Sequence, residues 1–366
     1  MSKQGVRVRF RWVLALALWA SVSLVAAAGL PGSAAPEVPT LIKSDDETTP
    51  VSHTGDAADE PTVWVNQANP GQSLILGNDK KGAFETYDLN GDRVQRITDA
   101  TPFCGNSDVR PDVTIGGFQG DLVAVAHGTG IKAYTVDATT RQLQQVNEGD
   151  VIGTGNPEGL CMYDSPNGTV YVTTLKREGA ILRQFRLSDD DGNGRIAATQ
   201  VRQFHVGGIA AGCVIDDANG AMYISVEQVA LWRYGAQPTS GQTRTMVDSL
   251  QPSGHLEHDI EGLALVTQPG GGGWLIASSQ FFDDPGHSYF VVYDRNTNAY
   301  QKSFRIVKGP VADGCERTDG IAAYAGNLGP SYPKGIFVCQ DNSNRAPVIG
   351  AQDFKFTKLD KILALG

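Results

Sequence analysis

The chain is poor in the side chains on which many catalytic chemistries depend. Among 366 residues there are only six histidines and five cysteines. No Cys-x-x-Cys pair occurs, which argues against a structural zinc site. His53, His127, His205, His255, His258 and His287 make no His-Glu-x-x-His phrase and no pattern with a Ser or Cys nucleophile. An Arg-His-Gly phrase is also missing, and with it the signature of phosphohistidine chemistry. Positive charge is scarce, with a formal net charge of −10. Nucleic acid is therefore excluded as a partner, because binding it needs a cationic footprint. From residue 55 to about residue 345 no segment keeps a helical period over three turns, which excludes a helical core.

What is present begins with basic Lys3, Arg7, Arg9 and Arg11, an apolar run from Trp12 to Ala28, and small residues to Ala35. This is the layout of a secretory signal peptide, so residues 1–35 read as the signal peptide and its small-residue cleavage region, with cleavage expected near Ala28 or near Ala35 and the protein secreted, with no membrane attachment afterwards. Residues 36–54, rich in Pro, Ser and Thr, read as a linker into one domain spanning 55–366. In an exported chain, Cys104, Cys161, Cys213, Cys315 and Cys339 imply one or two disulfides and an unpaired thiol, with Cys161 and Cys213 as the first candidate pair.

Short β-branched and aromatic runs bounded by Gly, Asn and Pro, such as Thr-Val-Trp-Val (62–65) and Val-Tyr-Val-Thr (170–173), read as strands. A brief phrase recurs before them: Asp59-Glu60-Pro61, Asp108-Val109-Arg110, Glu158-Gly159-Leu160, Glu261-Gly262-Leu263 and Asp319-Gly320-Ile321, with Ala211-Gly212-Cys213 as a copy lacking the acid. A repeat of about fifty residues is the period of a four-stranded propeller blade. The expected fold is all-β, a six-bladed β-propeller of antiparallel blades. Equivalent positions of the blades lie on one circle about the channel, so the acids of the phrase should converge there. Crowded carboxylates need raised pKa values or cations among them, and an oxygen-only donor set favours calcium.

Two other phrases carry less. Asp189-Asp-Asp-Gly-Asn-Gly-Arg-Ile196 resembles half of an EF-hand loop, but its twelfth position is Gln200 and no helices flank it, so a tight hairpin is expected. Gly271–Gly273 precedes a strand and reads as a hairpin loop. Trp64 and Trp232 are expected to pack between blades.

From about Glu47 to Lys358 the sequence resembles the β-propeller, or alkaline, phytases. The resemblance rests on Asp56-Ala-Ala-Asp-Glu-Pro-Thr-Val-Trp64, Asn78-Asp-Lys-Lys-Gly82, Asn106-Ser-Asp-Val-Arg-Pro-Asp112, Asp191-Gly-Asn-Gly-Arg-Ile196, Asp259-Ile-Glu-Gly-Leu263, Ser278-Ser-Gln280, Thr318-Asp-Gly-Ile321 and Phe337-Val-Cys-Gln-Asp341. It implies a calcium-dependent 3-phytase that removes phosphate from phytate, the hexakisphosphate of inositol, by attack of metal-bound water. It further implies several calcium ions, a substrate taken as its calcium complex, and a monomer. The calcium ligands it implies are Glu47, Asp56, Asp59, Glu227, Glu261, Asp313 and Asp319. Lys80, Lys81, Arg110 and Lys176 take the places of phosphate-binding cations, and Lys80, Arg110, Lys176, Glu227 and Glu261 those of catalytic residues. The chain departs from the family where Glu158 replaces a Tyr, Ala211 a Glu, Glu60 an Asp and Val226 an acid. Glu158 is accordingly expected to reach both a calcium ion and the substrate from the blade next to Ala211. Two alternatives remain: a calcium propeller hydrolase of the lactonase or phosphotriesterase kind, and an inactive propeller that binds partners.

Overall fold

The computed structural model describes residues 38–103, 105–281, 288–344 and 350–364. The expected signal peptide, Cys104 and His287 lie outside them. The described chain opens with two short strands, β1 (Thr40–Lys43) and β2 (Asp46–Glu47). The first blade follows, formed by β3 (Ala58–Trp64), β4 (Leu74–Asp79), β5 (Ala83–Tyr87) and β6 (Arg93–Thr98). The second uses β7 (Ser107–Ile115), β8 (Phe118–His127), β9 (Gly130–Asp137) and β10 (Gln142–Gln145), with β11 (Ile152–Gly153) also paired to β9. The third runs through β12 (Gly159–Asp164), β13 (Val170–Lys176), β14 (Ile181–Ser188) and β15 (Ala197–His205). In the fourth are β16 (Ala210–Asp216), β17 (Ala221–Val226), β18 (Ala230–Gly235) and β19 (Arg244–Ser249). The fifth has β20 (Ile260–Thr267), β21 (Gly273–Ser279), β22 (Tyr289–Asp294) and β23 (Tyr300–Val307). The last blade takes only three strands from its own stretch: β24 (Ile321–Tyr324), β25 (Ile336–Asp341) and β26 (Asp353–Lys358).

Its fourth strand is β2, which pairs antiparallel with β26 so that Glu47 faces Lys355. β1 adds in parallel to the outer edge of the fifth blade, with Leu41 opposite Arg305. The segment expected to be a linker is thus part of the propeller, because an open outer edge on the last blade would leave a row of backbone groups unpaired. The fold is otherwise the expected one, a six-bladed β-propeller.

A single blade is apolar on both faces and cannot bury either one alone. The core therefore lies between blades. Leu122 and Ile131 of the second pack with Met162 and Val172 of the third, and Phe290 and Phe304 of the fifth with Phe337 of the sixth. Each such buried side chain contributes about 1.5–3 kcal/mol. Trp64 bridges the first two blades, its indole Nε1 donating to Asp121 Oδ2 at 2.7 Å. Trp232 packs against the core shared by the third and fourth blades. Cys161 and Cys213 form a disulfide between the inner strands of those two blades, and Cys315–Cys339 a second one in the sixth. Asp189 closes the expected hairpin between β14 and β15 by accepting from the N–H groups of Asn193 and Gly194 at 3.0 and 2.8 Å.

Candidate active site

The innermost strand of every blade runs along the channel, and its first residues stand at one mouth. A Cβ placed on Gly105 would meet Glu158 O, on Gly159 Ala211 O, on Gly212 Glu261 O, on Gly262 Asp319 O, and on Gly320 Asp59 O, none farther than 2.7 Å. Each blade thus leans its glycine on the next blade's backbone, which explains the recurrent Gly. The contacts also define the ring: the residue before the glycine is Glu158, Ala211, Glu261 and Asp319, with Asp59 in the first blade. In the second blade the glycine that makes this contact is Gly105, so Asp108 does not hold the ring position. Asp108 lies farther along the channel, where it accepts from Met162 N–H at 2.7 Å. Because the blade-two phrase matched in the wrong register, the ring carries one acid fewer than expected.

Glu60 occupies the place of the sixth glycine. Its carboxylate reaches across to Gly262 and Gly320, where an added Cβ would come within 2.9 and 2.5 Å of it. It lines both the mouth cavity and a second cavity deeper in the channel, so it stands between the two.

A second set of side chains enters from the neighbouring strand of each blade. Pro61 pairs with Gly77, Leu160 with Thr174, Cys213 with Ile224, Leu263 with Ala277 and Ile321 with Cys339. Three residues beyond each partner come Lys80, Arg177, Glu227, Gln280 and Asn342, and all five line the mouth cavity. Its volume is about 430 Å3, and Asp56, Asp259 and Arg317 complete much of its wall.

The electrostatics follow from crowding. Burial pushes the carboxyls of Glu60 and Glu261 well above the usual range; Asp59 and Asp319 add to the shift of Glu60, and Asp319 and Glu227 to that of Glu261. Asp59 and Asp319 are themselves raised by burial, with Lys80 pulling the other way. Glu227 is raised by burial and lowered by Arg177. Lys80 Nζ lies 2.8 Å from Asp56, 3.1 Å from Asp319 and 3.8 Å from Asp59. Burial works against its charge, but the pull of Asp59 and Asp319 outweighs this and its pKa rises. Gln280 donates to the other oxygen of Asp319 at 3.0 Å.

Buried oxygens without nitrogen or sulfur donors suit a hard cation such as calcium. Among the described residues no three His, Cys, Asp or Glu side chains close into a ready-made cage. Lys80 and Arg177 stand between the acids instead, supplying part of the positive charge the array requires.

Of the residues expected at the site, Asp56, Asp59, Lys80, Glu158, Glu227, Glu261 and Asp319 share the cavity. Lys81 lines an adjoining hollow with Lys80 and Asn156, and its ammonium donates to Thr54 O. Lys176 stands on the rim with Glu158, 3.6 Å from Glu178. Glu47 and Asp313 are elsewhere: with Asp353 and Asp341 they surround the fully buried ammonium of Lys355, at 2.6, 2.6, 2.9 and 3.6 Å. Arg110 is placed differently from the expectation. It lies in the deeper cavity, pairs with Asp108 at 2.9 Å and Asp217 at 2.7 Å, and donates to Met162 O. It clasps the second, third and fourth blades, and these partners occupy its guanidinium away from the mouth.

The sequence profile of the phytase family matches residues 12–365. The 3-phytase of Bacillus subtilis (strain 168) is 33% identical over 307 residues, covering 81% of this chain and 78% of that protein. The chain belongs to the phytase family. Among solved structures, luciferin-regenerating enzyme aligns at a TM-score of 0.48 with 10% identity, over 85% of this chain and 96% of its own. BBS1N in complex with ARL6DN aligns at 0.47 with 12% identity, over 87% and 97%.

In this phytase the site residues that sequence reasoning missed include Glu60, Asn106, Arg177, Asp259, Gln280, Arg317 and Asn342. Three of them were within reach. Arg177, Gln280 and Asn342 occupy the position of Lys80 and Glu227 in their own blades, and aligning the second strands as well as the first would have found them. Arg317, at a positive φ of 47° in the approach to β24, follows no repeat.

Proposed function

We propose that this phytase hydrolyses phosphate monoesters of phytate in a calcium-dependent reaction at the mouth cavity. The observation that carries the proposal is the packing of Asp59, Glu60, Glu261 and Asp319 into one buried array in which burial and neighbouring carboxylates raise the pKa of every member. Such an array favours binding of hard cations, and cations bound there turn an acidic mouth into a receptor for a polyanion. Asp59, Glu227, Asp259, Glu261 and Asp319 would hold calcium, with Gln280 and Asn342 adding neutral oxygens. When bound, calcium supplies positive charge to phosphate oxygens and makes a water molecule more acidic.

The chain's own residues then position and neutralise. Lys80 has three N–H donors at the centre of the acids and can turn one toward a phosphate oxygen. Hydrolysis forms a bond from a water oxygen to phosphorus while the bond to the inositol oxygen breaks. The water gives up a proton and the inositol oxygen gains one. Glu227 and Glu261, both on the cavity wall, would exchange these protons. Phosphoryl transfer asks chiefly for such positioning and charge neutralisation. A substrate arriving as its calcium complex would bring part of the needed charge to a protein of net charge −10. The two disulfides support an extracellular place of action. The charged wall residues Lys80 and Arg177 favour a phosphate-rich substrate over the weakly charged ones of a lactonase.

Phosphate release from phytate, followed against calcium concentration at neutral to alkaline pH, tests this reading. Release should vanish with a chelator, and Glu261→Gln should require about tenfold more calcium, a difference of about 1.4 kcal/mol. Undiminished release in the chelator would overturn the calcium dependence, and no release at any calcium concentration would overturn the activity.

A further inference from the structure

Between the third and fourth blades the ring has a gap. Ala211 supplies no side-chain oxygen where the neighbouring positions carry Glu158 and Glu261. Arg177 reaches into this gap from the end of β13. Its Nη1 donates to Glu158 Oε1 at 2.9 Å, and its Nη2 lies 3.7 Å from Glu227 Oε1. One guanidinium therefore joins an acid of the third blade to an acid of the fourth, past residue 211. Arg177 is 56% exposed while Glu227 is 8% exposed, so its remaining N–H groups are open to the cavity.

We propose that Arg177 takes the place of a metal ion on the Glu158–Glu227 side of the ring, so that a substrate phosphate is received there directly by the guanidinium. The inference rests on the phytase reading above and deepens it. Three observations support it. The side chain is in register with Lys80, Glu227 and Gln280, all on the cavity wall, so its entry follows from blade geometry. A guanidinium has five donors in a planar fork, enough to hold Glu158 and still present two N–H groups to phosphate oxygens. Finally, the acids it joins are those a cation would otherwise need. Glu158 Oε2 is buried and makes no hydrogen bond, so removing Arg177 would leave both oxygens of Glu158 beside Glu227 for a cation. Glu158 is, on this view, a positioning residue for Arg177. Lys176, one residue earlier, stays on the rim.

Two measurements on the full mature chain test the proposal. In the first, calcium stoichiometry is determined by equilibrium dialysis for wild type, Arg177→Ala and Glu261→Gln. Arg177→Ala should bind one calcium more than wild type, and an unchanged or lower number would overturn the proposal. The second is steady-state kinetics with phytate at saturating calcium. Arg177→Ala should raise KM about tenfold or more, as loss of a charge-assisted fork predicts, with Arg177→Lys partly restored. An unchanged KM in Arg177→Ala would overturn it as well. Glu261→Gln separates the two levels: if it binds as many calcium ions as wild type with the same affinity, the calcium reading itself fails. If Glu261→Gln loses calcium while Arg177→Ala gains none, the Arg177 assignment alone fails.

Discussion

Lys80 Nζ of the first blade lies 3.1 Å from Asp319 Oδ2 of the last, so one ammonium ties the two ends of the ring at the channel mouth. The same ammonium is 2.8 Å from Asp56. It is a fixed cation among acids, in the place where a phosphate would need one. Lys80→Met should lower kcat/KM for phytate by about 10²–10³, the usual cost of losing one preorganised charge-stabilising donor. Steady-state kinetics at saturating calcium would check this. A change of less than about threefold would remove Lys80 from the reaction.

The pH dependence of the metal-free protein has a definite sign. Asp59, Glu60, Glu227, Glu261 and Asp319 all have carboxyl pKa values raised by burial. Burial also pushes Asp353 up to about 7 and Asp341 to about 8, with Lys355 pulling both down. A carboxyl with a raised pKa binds its proton more tightly in the folded chain. Its stabilising effect is complete below the unfolded value of about 4 and is lost as pH rises through the folded value. In a chelator the melting temperature should therefore fall from about pH 4 to about pH 8. Calcium held by the array, as proposed, would bind the ionised forms, so its stabilisation should grow across the same range. Melting curves with and without calcium would show parallel pH profiles if the array bound no metal.

Lys355 is wholly buried and lies within 3.6 Å of four carboxylates, one of them Glu47 on β2. Lys355→Met should cost about 3–5 kcal/mol, because breaking a buried pair from one side leaves uncompensated charge. Urea denaturation would read this directly, and a cost below about 1 kcal/mol would mean that β2 is held by its backbone pairing alone.

Arg110 offers the opposite contrast. Its partners Asp108, Met162 O and Asp217 belong to three blades and none lines the mouth cavity. Arg110→Ala should destabilise the fold by about 3–5 kcal/mol while the folded fraction keeps its KM for phytate. A large rise in KM with unchanged stability would return Arg110 to the substrate.

Much of the architecture was legible because propellers repeat. The Gly-containing phrase exposed the blades, and its acids pointed to the ring at Asp59, Glu158, Glu261 and Asp319. The errors came where the repeat changes its spacing. In the second blade the contact glycine is Gly105, and the acid nearest by pattern, Asp108, belongs farther along the channel. Lys176 and Arg177 are adjacent cations whose order alone does not say which enters the cavity. The antiparallel pairing Leu160↔Thr174 decides it, because it places Arg177 at the same height as Lys80 and Glu227. Residues 36–54 read as a linker because their composition is polar and Pro-containing, yet β1 and β2 within them are recruited by edges that the rest of the chain leaves open.

Local chemistry along the chain was enough to determine strand content, blade number and the oxygen-rich character of the site, since each depends on residues close in sequence or repeated at a fixed period. Which acids share a cavity, which cation stands between them, and how Glu47 meets Lys355 were decided only by closure of the ring. Closure brings together groups some three hundred residues apart, and electrostatic coupling acts through distance in space, to which sequence separation is no guide.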